Sequence, residues 1–351
     1  MGLPEINIEF KGKAVSAVQR SALGTVALIL KDDTPSFTSK EYKSVEDIKD
    51  TDFTAKNIDY LKKTFLGTPS KVLVEVLPTT ATYAEALKKL GSKKWNYLAV
   101  PGIEGSDVPY ISSWIKSKRE NEKKTFKAVL PYAEADNEGV INFTTEDIKV
   151  GDKTYSASEY CARIAGILAG LPFTRSSTYF VLDEVESITE SETPNEDIDN
   201  GQLILISDGE NIKIGRGVNS LTTTTLEKTE DFKKIKIVEV MDMMLDDIRD
   251  TFDSSYVGKV PNTYDNQVLF FTSVNAYFKG LASDDILDSS YDNKVTVDVK
   301  SQRLAWESIG TDTTDWDNQK VKNMAFKSNV FATGNVKIVD AMEDLDFQIA
   351  I

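Results

Sequence analysis

Chemistry needs side chains that trade protons or electron pairs, and this chain lacks the commonest of them: its 351 residues include no histidine. Without imidazole there is no Ser-His-Asp or Cys-His relay and no His-ligated zinc. Cys161 is the one cysteine. It sits in an apolar helical stretch, which suits a small packed hydrophobe better than a nucleophile. Carboxylate, lysine and metal-phosphate chemistries survive. Glu239, Asp242, Asp246, Asp250 and Asp253 recur at helical spacing in EVMDMMLDDIRDTFD, which stacks them beside an apolar stripe of Met241, Leu245, Ile248 and Phe252. Such a ladder can be a solvated face, a surface for a basic partner, or a divalent-ion site. It lacks the glycine-containing loop that calcium binding favours. Asp312, Asp315 and Asp317 read as a polar loop. The segment Pro101–Asp107 follows a strand and opens a helix, where α/β proteins hold phosphates. But it has no glycine-rich fingerprint, and Glu104 and Asp107 repel an anion, so a helix-entry turn is the better reading. No catalytic, cofactor-binding or metal residue is assigned, and no cofactor is expected.

The elements that would carry these residues are organised around SASEYCARIAGILAG, residues 156–170. Ser156 and Glu159 form a capping box, and Gly170 with Pro172 stops the helix. Its apolar residues cover most of its circumference, so it is buried on most sides. Ala162, Ala165, Gly166 and Ala169 let other backbone approach closely. The run 177–185 (STYFVLDEV) suits a strand beside it. Upstream, strands at 25–30, 71–77, 95–100 and 125–130 alternate with helices, which predicts a mostly parallel sheet covered on both faces. Downstream come a hairpin over 203–214, a strand at 234–238 (KIKIV), helices over 239–253 and 264–281, and a strand from 294.

The fold class expected is therefore α/β, a mostly parallel sheet flanked by helices, with a smaller α+β C-terminal domain and extended β-arms at both ends. The length favours two domains. An acidic, proline-containing stretch at 184–200 marks the boundary: an N-terminal arm over 1–22, an α/β domain over 23–200, an α+β assembly domain over 201–329 that part of the N-terminal region can join, and a C-terminal arm over 330–351. The formal charge of −15 argues against nucleic acid and against an anionic membrane surface. No apolar run reaches the roughly 20 residues that span a bilayer.

Both ends alternate with period two. Ile6, Ile8 and Phe10 share one face of the first strand. At the other end Val336 and Ile338, then Leu345, Phe347, Ile349 and Ile351, do the same. A terminal strand with an apolar face and unpaired amides is an aggregation hazard unless something pairs it. The N-terminal one can be an edge of its own core or pair with another subunit. Addition to a sheet in a neighbouring copy removes both hazards, and repeated head-to-tail it builds a filament.

The stretches YCARIAGILAGLPFTRSSTYFVLDEV, GVNSLTTTT, KKIKIVEVMDMMLDDIRDTF with YVGKVPNTYDNQVLFF, the opening GLPEINIEFKGKAVSAVQRSALGTVALIL and the close VKIVDAMEDLDFQI resemble, in order, the contractile tail sheath proteins of phages. The likeness is greatest to the short sheaths of Gram-positive phages and phage-tail-like bacteriocins. The resemblance implies a structural subunit, not an enzyme, whose partners are other copies of itself, an inner tail tube, a baseplate and a tail terminator. It implies a metastable sleeve that shortens and drives the tube through an envelope, made in the bacterial cytoplasm and released in a tail or tail-like particle. Asp242, Asp246 and Asp250 are candidates to face the tube. The competing reading is an α/β enzyme or small-molecule-binding protein using the carboxyl ends of the 71–130 strands; a surface-array protein is a third.

Overall fold

The computed structural model describes Val18 and residues 24–350. They fall into two compact units, a larger one holding residues 24–243 together with 340–350, and a smaller one holding Val18 and 244–339.

The strands of the larger unit are β1 (Thr25–Lys31), β2 (Ser39–Tyr42), β3 (Lys71–Leu77), β4 (Tyr97–Ala99), β5 (Lys127–Pro131), β6 (Val140–Phe143), β7 (Glu146–Val150), β8 (Lys153–Tyr155), β9 (Ser187–Thr189), β10 (Gln202–Leu203), β11 (Leu205–Ser207) and β12 (Ile212–Ile214). Its helices are α1 (Ala55–Phe65), α2 (Ala84–Leu90), α3 (Val108–Glu122), α4 (Ala157–Gly170) and α5 (Pro194–Asp199). The central sheet runs β10-β6-β5-β4-β1-β3-β2 and is parallel except where β2 meets β3. Successive residues of β1 feed opposite cores, as strand geometry requires. Val26, Leu28 and Leu30 join the core under α1 and α4, while Ala27 and Ile29 join the core under α2 and α3. The expected parallel sheet with helices on both faces is what the chain forms.

Helix α4 begins at the Ser156–Glu159 capping box and is buried along nearly its whole length. Its small residues do have a partner: a Cβ at Gly166 would stand 2.1 Å from the Thr64 oxygen, and one at Gly170 would stand 1.7 Å from the Gly67 oxygen. Helix α1 and the turn after it therefore ride directly on α4 backbone. Arg163, the lone charge in the middle of α4, is buried and donates to Glu184 at 2.5 Å.

Three expectations need correction. Residues 177–185 form no strand beyond a bridge between Val181 and Lys213, because Tyr179 has a left-handed backbone (φ 56°) that interrupts the extended run. KIKIV is not a strand either. Helix α6 (Ile235–Ser255) starts within it, and five alternating residues are too few to separate the two periods. Finally, the division does not fall at 200/201. Strand β10 pairs with β6 in the central sheet, so 201–243 go with the larger unit, and the division lies inside α6.

The smaller unit contains the rest of α6, α7 (Tyr264–Ser283), β13 (Lys294–Val297), α8 (Val299–Glu307), α9 (Asn318–Asn323) and β14 (Ala332–Asn335). Thr263 caps α7 by accepting from the Asn266 amide. Phe270, Phe271, Val274, Tyr277, Phe278 and Leu281 bury its inner face. Strands β13 and β14 pair antiparallel, with Val295 opposite Gly334. Of the C-terminal arm expected over 330–351, β14 and the segment through Val339 are instead held by the chain's own smaller unit.

Candidate assembly site

The acidic ladder of α6 does not form one surface. Asp242 is buried, accepting from Arg119 Nη1 and Nη2 at 2.9 and 3.0 Å and from Lys127 Nζ at 2.9 Å. Glu239 accepts from the Tyr97 hydroxyl at 2.7 Å and pairs with Lys127 at 3.0 Å. Glu138 extends the cluster to Arg119 and Lys228. Burial alone would raise the Asp242 carboxyl, but the Lys127 and Arg119 charges hold it below its ordinary value. Burial and the Glu239 charge drive the Tyr97 hydroxyl well above its own. Asp242 therefore cannot face a tube, a correction whose cause is helix phase. Val240, Met243, Met244, Asp247 and Thr251 face inward, while Leu245, expected in the apolar stripe, is 45% exposed. Asp246 is half-buried beside Arg249, and Asp250 is exposed. Buried Asp247 accepts from the Tyr277 hydroxyl at 2.7 Å. An all-apolar template misses α6 because its inward face carries two carboxylates.

The other chemistry-bearing positions are structural. Asp312 closes a turn on Thr314, and Asp317 caps α9 through the Lys320 amide. Cys161 is fully buried, which pushes its thiol up. Pro101–Asp107 is a turn into α3. A cavity of about 350 Å³ does lie at the carboxyl ends of β4 and β5. It is lined by Glu134 and Glu146, and Glu146 is already engaged by the Tyr132 hydroxyl and the Ala157 amide. Among the described residues no group of acidic or sulfur ligands could hold a metal, and no helix is long and apolar enough to cross a membrane.

Of the arm residues, Ile6, Ile8, Phe10 and Ile351 lie outside the described residues. Val336 and Ile338 are half-buried on their own unit, where Ile338 bridges Leu287 and Lys337 accepts from the Asp288 amide. They are not part of a free arm. Beyond them Leu345, Phe347 and Ile349 are 89%, 72% and 72% exposed, alternating with Asp346, Gln348 and Ala350.

The sheet these residues could join has one closed edge. Asn275 of α7 presents its amide to β13, accepting from the Val295 amide at 2.7 Å and donating to its carbonyl at 3.1 Å. Val295 therefore turns its backbone groups away from β14. In antiparallel pairing the residue opposite does likewise, so Gly334, and Ala332 two residues before it, direct theirs outward along the far edge of β14. All of β14 is exposed. Nothing in the sequence of Asn275 distinguished it from other helical asparagines.

Comparison with known proteins agrees with this architecture. The phage tail sheath protein central domain matches residues 78–220, and the phage tail sheath C-terminal domain matches 227–351. The tail sheath protein of Clostridium phage phiCD119 is 39% identical over 99% of both chains. The chain belongs to the phage tail sheath protein family. This tail sheath protein also shares the fold of the sheath tail protein of Desulfitobacterium hafniense, at TM-score 0.72 and 16% identity over 84% of this chain and 94% of that one. The anti-feeding prophage helical sheath in its contracted state gives TM-score 0.71 and 14% identity over 100% and 99%. The uncharacterized protein YqbK of Bacillus subtilis is 25% identical over 64% of this chain and 51% of its own length.

Proposed function

We propose that this chain is the repeating subunit of a contractile tail sheath, without catalytic activity, which polymerises around an inner tube by exchanging terminal strands between copies. The observation that carries the reading is an edge and a tail that no described residue pairs: β14 offers outward amides at Ala332 and Gly334, and residues 345–350 leave the body as an exposed alternating tail. The tail of one copy adds to the β14 edge of the next. Leu345, Phe347 and Ile349 then lie on the face that already carries Val295 and Val297, leaving Asp346 and Gln348 beside Thr333. The N-terminal residues Ile6, Ile8 and Phe10 are taken to extend the same composite sheet. Each added backbone hydrogen bond contributes about 0.5–1.5 kcal/mol net, and each apolar side chain about 1.5–3 kcal/mol when fully covered. One arm is weak; a lattice of them is strong. Contraction draws on new contacts between copies, baseplate contact releases it, and Asp246 and Asp250 remain candidates to meet a basic tube surface. The particle would be a phage tail or a tail-like device assembled in a bacterium.

Cysteine cross-linking tests the pairing cleanly, because the native Cys161 is buried. Thr333→Cys combined with Gln348→Cys, or with Asp346→Cys for the neighbouring register, should give a ladder of disulfide-linked copies in assembled sleeves on a non-reducing gel. Thr296→Cys on β13 with the same tail variants should give none. It would lie two strands, about 10 Å, from the tail, beyond disulfide reach. Assembled sleeves with no ladder from Thr333→Cys would defeat the proposal. A ladder from Thr296→Cys instead would move the arm to the edge that Asn275 occupies.

A further inference from the structure

The tail does not leave the body at random. Three separate sequence stretches converge on its root, all within the larger unit. Ser176 Oγ and Thr178 Oγ1 donate to Glu343 Oε1 at 2.8 and 2.6 Å. Arg216 places Nη2 at 2.5 Å from Asp344 Oδ1 and Nε at 3.8 Å from Glu343 Oε2. Lys234 pairs with Asp340. The Glu343 side chain is 8% exposed, so it fills a receptor instead of lying on a surface. That receptor is shaped by close backbone approach: the Gly217 amide donates to Thr178 Oγ1 at 2.9 Å, and a Cβ on Gly217 would stand 2.5 Å from Ser177 Oγ. The first residue past the clamp is Leu345, 89% exposed, next to an Asp344 side chain that is itself 80% exposed.

We infer that Ser176, Thr178, Arg216 and Lys234 are positioning residues that grip the acidic root Asp340–Asp344, so that the exchanged strand leaves each subunit from a fixed point on its α/β unit. The inference rests on strand exchange being the mode of assembly. An unclamped root would have to be ordered at the moment of pairing, and every backbone residue so ordered opposes association. A clamped root has lost that freedom beforehand. The clamp also determines where tension on the tail is delivered: into the α/β unit through charged contacts, three of them to carboxylates of one short segment. Such contacts are partly exposed and are weakened by salt.

The test uses the full chain in two variants, Arg216→Gln with Lys234→Gln, and Ser176→Ala with Thr178→Ala. Each is first compared with the parent by circular dichroism and thermal melting, where no loss of fold is expected from half-exposed contacts. A glutamate-specific endoprotease then reports on the bond after Glu343, with the peptide beginning at Asp344 followed by mass spectrometry. In dispersed protein the variants should release that peptide at least about tenfold faster than the parent, because cleavage tracks the open population of the root. Arg216→Lys, which keeps a cation, should restore much of the protection. Sleeve formation, scored by electron microscopy, should need about tenfold more protein in the double-glutamine variant. A chain deleted after Asp344 separates the two ideas. If that chain still forms sleeves, strand exchange through the tail is wrong. If it does not, yet the double-glutamine variant assembles at the parental concentration with an equally protected root, the clamp is overturned.

Discussion

Replacing Asp242 by alanine should destabilise the protein severely, although a surface reading of the acidic ladder assigns it almost no effect. The carboxylate answers two cations that have little other recourse: the side chains of Lys127 and Arg119 are 1% and 11% exposed. After the substitution Lys127 keeps the Glu239 carboxylate at 3.0 Å and the Thr125 carbonyl at 3.3 Å, and Arg119 keeps the Glu138 carboxylate at 3.6 Å and the Phe126 carbonyl at 3.4 Å. Removing one partner of a buried ion pair costs about 3–5 kcal/mol, because the uncompensated charge stays in the low-dielectric interior. For a unit of this size a loss of that order lowers the melting temperature by about 6–20 °C. Asp250→Ala, at an exposed position on the same helix, should stay within about 0.5 kcal/mol of the parent. Scanning calorimetry or urea denaturation of dispersed protein at neutral pH decides the matter. A shift under about 1 kcal/mol for Asp242→Ala would refute the argument, since it would mean the cluster is hydrated or already broken in solution. The pH dependence gives a second handle with a definite sign. The folded Asp242 carboxyl sits below its ordinary value of 3.8, so its contribution is complete above that value and is lost as pH falls through the lowered one. The alanine variant should therefore lose less stability than the parent over the same acid range.

Gly166→Ala should cost about 1–3 kcal/mol or more in urea unfolding, because the new methyl meets the Thr64 carbonyl and backbone must move. Cys161 should resist a thiol-reactive dye in the folded protein and react in denaturant; prompt labelling without unfolding would contradict its burial. If Asp246 and Asp250 meet a basic tube, Asp246→Lys with Asp250→Lys should abolish co-assembly with tube protein while leaving the melting temperature nearly unchanged; normal co-assembly removes that assignment. With a formal charge of −15 per chain, like-charge repulsion between copies opposes compaction and is screened by salt. Added salt should raise the fraction of contracted sleeves, and an unchanged fraction between low and high salt would count against electrostatic opposition.

The parallel sheet and helix α4 were legible because local signals agreed there: β-branched runs buried on both faces, a capping box, and small residues where helix α1 had to approach. The 264–281 helix was legible for the same reason, with Thr263 as its cap. Legibility failed where polar groups face inward. Asp242 and Asp247 pair with groups distant in sequence, Arg119 and Lys127 for one and Tyr277 for the other. A pattern that equates charge with solvent therefore rotates α6 to the wrong phase. The boundary was misplaced for a related reason: the acidic stretch before 200 looks like a linker, whereas the two-residue strand β10 that follows returns to the sheet by backbone pairing that leaves little trace in composition. The exit of the tail was legible as alternation and illegible as geometry. VKIVDAMEDLDFQI reads as one strand, and only the contacts of Asp340, Glu343 and Asp344 divide it into a held root and a free end.

That division bears on where a sheath can keep its driving energy. Within each unit the most buried charges meet partners: Arg119, Lys127 and Arg163 reach carboxylates, the Cys161 thiol is packed away, and the edge of β13 is stopped by Asn275. Among the described residues a single copy also leaves open an outward row of amides on β14 and an exposed apolar tail beyond Asp344. Groups that no described residue of the same chain satisfies can create a free-energy difference when copies meet, and its size depends on how completely each arrangement of copies satisfies them. On this argument extended and contracted sleeves would differ mainly in contacts between subunits while each fold stays nearly constant. Hydrogen exchange in the two states should then change at subunit surfaces and leave the protection of β1, β3 and α4 unaltered; a large change in those core elements would place the stored energy inside the subunit and overturn the argument.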